Sequence, residues 1–145
     1  MAIKKQEFYE GAALHQVTSG AGSIGILHDP PFFVLNERLC VMFKYCTKGR
    51  SPWNFTFGSH EQRSVKLRAS TSEVVIGLIC GDDGVAAIDS EEFFQIASIR
   101  DCSIRIACYR RHGEHYEITG PDGSLLGKIA PSRWKRITSS EDRNP

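Results

Sequence analysis

Apolar positions recur along this chain in two rhythms, one helical and one alternating, and the changes between them mark its elements. Over residues 4–17 the spacing is helical, and Thr18-Ser19-Gly20 supplies the stop. Leu14 and Val17 follow Glu10 by four and seven residues, which sets this carboxylate on the apolar stripe. A glycine-rich turn at Gly20-Ala21-Gly22 leads into a short strand at 23–27, and His28-Asp29-Pro30-Pro31 interrupts it because two prolines remove two amide donors. A second strand covers 32–35, and Asn36-Glu37 turns it into a third at 38–46. There Leu39, Val41, Phe43 and Tyr45 occupy one face and Cys40, Met42 and Cys46 the other. A strand apolar on both faces belongs inside a sheet covered on both sides.

The pattern continues with Trp53, Phe55 and Phe57 alternating against Asn54 and Thr56, a strand with one aromatic face. Ser59-x-x-Gln62 has the form of a capping box opening a helix that runs to about Arg68. Residues 73–80 are the strongest strand, and Gly81-Asp82-Asp83-Gly84 turns it into 85–88 as a hairpin. Asp89-x-x-Glu92 opens another helix. Strands are expected at 102–109, 114–119 and 125–129, with Trp134 docked behind them. The expected architecture is a single α+β domain over 1–137, a central mixed sheet flanked by helices with a C-terminal antiparallel hairpin extension, followed by a polar tail at 138–145.

Composition narrows the class. The 145 residues are 41% hydrophobic and 24% charged, as in soluble globular domains, and no apolar run is long enough to span a bilayer. Lysines and arginines exceed acids by one, so only local clusters can argue for a polyanionic partner. Cys40, Cys46, Cys80, Cys102 and Cys108 lie in apolar runs without a C-x-x-C pair, which reads as buried, reduced thiols and a cytoplasmic protein. No zinc-hydrolase His spacing, serine-hydrolase elbow or complete phosphate loop is present; the stretch GAGSIG lacks the lysine of a P-loop. Asp82 and Asp83 are explained by turn chemistry.

Candidate chemistry gathers around the third strand. Lys44 shares the face of Cys40 and Met42 near its end, and an ammonium there must meet a carboxylate or an anionic ligand, or escape to solvent. Glu10 and Glu37 are the expected partners. The loop that follows carries Lys48 and Arg50 and ends at Trp53, a combination suited to phosphates and a stacked base; Arg63 and Lys66 make the next helix basic.

The element order helix, three strands, helix, strand resembles the restriction-endonuclease-like core, the PD-(D/E)XK fold (α-β-β-β-α-β). In that superfamily a glutamate on the first helix, an acid before or on the second core strand and a lysine on the third converge on a divalent metal and its water. The resemblance implies Glu10, Asp29 and Glu37 as metal-binding residues and Glu10, Glu37 and Lys44 as the catalytic set, with Mg²⁺ as cofactor and DNA or RNA as substrate. The chain departs from the pattern at Met42, where the superfamily places an acid two residues before the lysine. The motif K-x-x-T-K-x-x-S-P-W-x-F-T-F, with the later C-G-D-D-G, also resembles a bacterial domain family without an assigned function. The alternative function is a non-catalytic binding or assembly module, contacting phosphates, a protein partner or a second copy through the basic loop 47–53.

Overall fold

The computed structural model describes residues 2–139; most of the polar tail expected at 138–145 lies outside them. The elements run α1 (Lys5–Thr18), β1 (Ile26–Asp29), β2 (Phe32–Leu35), β3 (Leu39–Cys46), β4 (Trp53–Phe57), α2 (Ser59–Ala69), β5 (Glu73–Cys80), β6 (Gly84–Asp89), α3 (Ser90–Ile96), β7 (Ile104–Tyr109), β8 (Glu117–Gly120), β9 (Gly123–Ser124) and α4 (Arg133–Thr138). The strands form a five-stranded mixed sheet ordered β1-β2-β3-β5-β6 and a four-stranded sheet ordered β4-β7-β8-β9. In the first, β2 is antiparallel to β1 and β3, β3 and β5 are parallel, and β6 returns antiparallel. The second is antiparallel throughout. The class is α+β, and no helix among the described residues is long and apolar enough to cross a membrane.

Apolar side chains on both faces of β3 hold this arrangement together. Leu39, Val41 and Phe43 join Val75, Ile79 and Ala87 beneath Ala13 and Val17 of α1 and Trp134 of α4. Cys40 and Met42 face the other way, into a core shared with Trp53, Phe55 and Phe57 of β4, Val65 of α2 and Phe93 of α3. The alternating burial of β4 explains its departure from the first sheet: its aromatic face points onto that sheet, so its backbone pairs instead with β7. Removing so much apolar area from water is the main driving force for closing the two sheets on each other. Trp134 is tied down by its indole N–H, which donates to the Val85 carbonyl at 2.8 Å.

Glycine is required where backbones crowd. At Gly77 a β-carbon would stand 2.6 Å from the Phe43 ring, and at Gly81, with φ +56, one would stand 2.2 Å from the Lys48 carbonyl oxygen. That carbonyl also accepts the Trp53 indole N–H at 2.9 Å, and the Gly81 N–H donates to Cys46 at 2.8 Å. The β3–β4 loop is thereby anchored through its backbone, while Lys48 and Arg50 stay exposed.

Three expectations are corrected. The helix after β4 is capped at Gly58, not Ser59, with Glu61 at its third position reaching back to the Gly58 N–H at 3.0 Å. The strand expected at 125–129 is reduced to β9 at 123–124 and a bridge between Tyr116 and Ile129. Cys102 is exposed, whereas Cys40, Cys80 and Cys108 are buried and Cys46 is half-buried; all five are free thiols. Cys80 lies 3.8 Å from Cys108, and that contact together with burial pushes its thiol pKa well above the ordinary value.

Candidate functional site

A cleft of about 510 Å³ opens at the exit end of β3 and holds Lys44 and Glu10 of the expected site. It exists because β2 pairs with β3 only over Leu39–Val41, whereas β5 accompanies β3 as far as Cys46. Among the described residues no strand pairs with the second edge of β3 from Met42 onward, and that edge lies along the floor of the cleft. Gln6 and Glu10 of α1 line one part, His28, Pro30 and Pro31 close the end where the β1–β2 hairpin stops, and Asn54, Thr56 and Glu61 come from β4 and α2.

Lys44 lies in this cleft, and its partner is neither Glu10 nor Glu37. Its ammonium donates to Glu61 Oε2 at 2.7 Å and sits 5.2 Å from the centre of the Phe57 ring. Glu61 divides its carboxylate, one oxygen accepting the Gly58 N–H that opens α2 and the other accepting Lys44. The helix cap therefore fixes the acid, and the acid fixes the lysine. With side-chain exposures of 22% for Lys44 and 34% for Glu61, the pair is recessed without being sealed. Glu10 lines the same cleft from α1, where its carboxylate accepts the Gln6 amide at 2.9 Å.

The other expected site residues are elsewhere. Glu37 occupies the β2–β3 turn, at φ +57, at the entry end of β3. Leu39 alone is five strand steps from Lys44, about 17 Å at the rise of a strand. Glu37 is therefore not brought together with Lys44. Asp29 ends β1 beside the cleft, but its carboxylate is held by Arg68 at 2.7 Å, and the same guanidinium lies over the Phe32 ring. Trp53 is buried at 2% exposure and belongs to the core, so it offers no face to a base. Lys48, Arg50, Arg63 and Lys66 are exposed and none lines the cleft; Lys66 lies over the Phe94 ring of α3. Asp83 accepts the Tyr116 hydroxyl at 2.9 Å and Arg110 at 2.8 Å, so it ties a turn to the second sheet.

Glu61 is the residue that sequence reasoning missed. Its signal was the glutamate three places after Gly58, obscured by an equally regular Ser59-x-x-Gln62 one residue later. Glu10 and Glu61 carry hard carboxylate oxygens, the ligand type that Mg²⁺ takes, and line the cleft from helices packed on opposite faces of the first sheet. Among the described residues no group of three or more His, Cys, Asp or Glu side chains is placed to hold a metal ion, so any such centre would rest on two protein ligands. Comparison with protein-family models, with curated proteins and with solved structures gave no match to this chain.

Proposed function

We propose that this chain is a nucleic-acid-interacting domain with a divergent, metal-dependent nuclease-like site formed by Glu10, Lys44 and Glu61. The observation that carries the reading is that these three side chains line one cleft although they come from three separate elements. In support, leaving aside β4, which joins the second sheet, the order α1, β1, β2, β3, α2, β5 resembles the α-β-β-β-α-β order of the restriction-endonuclease-like core. Glu61, which reaches Lys44 from α2 at 2.7 Å, is the carboxylate that this reading puts in place of the acid missing at Met42.

In this reading Glu10 and Glu61 are the oxygen ligands and Lys44 holds a phosphate oxygen or the attacking water. A bound Mg²⁺ would stabilise the charge developing on the phosphodiester and lower the pKa of a coordinated water.

The test is cleavage of labelled DNA and RNA by the purified chain in Mg²⁺ or Mn²⁺. Lys44→Ala and Glu61→Gln should each lower cutting by about 10²-fold or more, and glutamine at 61 retains the helix cap. A second reading, a non-catalytic phosphate-binding module, is favoured by the fact that both Glu61 oxygens are already engaged. It predicts no cutting with any metal, and salt-sensitive binding that weakens when Lys48 and Arg50 are neutralised.

A further inference from the structure

Resting on the nucleic-acid reading above, we infer that the cleft takes a single strand, with a phosphate at Lys44 and an unpaired base stacked on His28. Three observations carry this. First, Lys44 and Glu61 are recessed between α1, the β1–β2 hairpin and α2, in a cleft of about 510 Å³, which is the size of a small-ligand pocket. A duplex is stiff and carries its phosphates on a convex surface, so those walls meet it before a phosphate reaches Lys44. A single strand bends into the notch.

Second, aromatic rings line the cleft on the α1 face of the sheet, across the open edge of β3 from the Lys44 side chain, which faces Phe57 and Glu61. The exposed His28 ring is stacked on Phe33 with centroids 4.5 Å apart and 13° between planes. One face is thus supported by Phe33, and the other is open for a base. Tyr45, half-buried, lines the cleft as well and is stacked on Tyr9 at 4.7 Å and 10°. Rings already held flat by a neighbour lose little freedom when a base is added, and base–aromatic stacking is indifferent to sequence.

Third, Gln6, Asn54 and Thr56 line the cleft as neutral donors and acceptors alongside the carboxylates of Glu10 and Glu61, and the unpaired edge of β3 adds backbone groups beside them. Such groups can hydrogen-bond the exposed edges of an unpaired base, which in a duplex are occupied by the partner strand.

The experiment measures binding of fluorescent oligonucleotides to the full chain in Ca²⁺, comparing a single strand with the duplex of the same sequence. The single strand should bind at least tenfold more tightly. His28→Ala should weaken it by about 5- to 150-fold, the range of one lost stacking contact, and His28→Phe should restore binding because an aromatic face returns without the ring nitrogens. Equal or tighter binding of the duplex, still dependent on Lys44, would overturn the single-strand assignment and leave the nucleic-acid reading standing. Loss in His28→Ala without recovery in His28→Phe would overturn the stacking role. No binding of either form would remove both this inference and the reading beneath it.

Discussion

The two ends of β3 are built from the same strand and do opposite things. At the entry end β2 and β5 flank it on both sides, and Arg38 donates to Glu73 at 2.7 Å and to the Ile137 carbonyl at 3.0 Å. Charge there ties a helix and two strands together. At the exit end β2 has stopped, one strand edge is open, and the charged pair Lys44–Glu61 faces a cleft. The difference lies in how far the neighbouring hairpin extends, and the composition of the strand does not reveal it.

Substitutions at the two ends should separate these roles. The largest effect is expected at Met42, which is 2% exposed and links the cleft floor to the shared core. Met42→Ala should cost about 2–5 kcal/mol, read as a lower urea midpoint at unchanged m. Glu61→Ala should cost about 1–2 kcal/mol, since it removes both the cap of α2 and the partner of Lys44. A Glu61→Gln variant as unstable as Glu61→Ala would show that the ion pair, and not the cap, dominates. The smallest effect belongs to the entry turn, where Asn36 and Glu37 both have positive φ and the Arg38 N–H donates to the Leu35 carbonyl at 3.1 Å. Glu37→Gly should raise stability by about 0.5–1 kcal/mol in thermal unfolding and leave nucleic-acid binding unchanged. A loss of binding there would mean that the two ends are not separate.

Much of the fold was legible because local rules and tertiary packing agree. The strand at Glu73–Cys80 and the Asp89–Glu92 capping box stand where the pattern puts them, and the aromatic alternation of 53–57 reads directly as one buried face. The pattern did not reveal that β4 leaves the first sheet, because alternation fixes which face is buried and says nothing about which neighbour the backbone chooses. Lys44 was legible as a cation on an apolar face. Its partner was not, since Glu61 is brought to it by α2 folding across the sheet, 17 residues further along the chain. Glu37 is close in sequence and remote in space, since an extended strand separates its two ends faster than any other structure. Trp53 was open to two readings, and the Lys48 carbonyl that satisfies its indole inside the core settles which one holds.

The divided carboxylate of Glu61 makes the first turn of α2 a reporter for the cleft. Any anion that draws Lys44 away, or any cation that claims the Glu61 oxygens, alters the hydrogen bond that protects the Gly58 amide. Occupancy of the cleft and fraying of that helix end are therefore linked equilibria, each shifting the other by the same free energy. Hydrogen exchange at a single backbone amide would register a ligand without any assay of its chemistry.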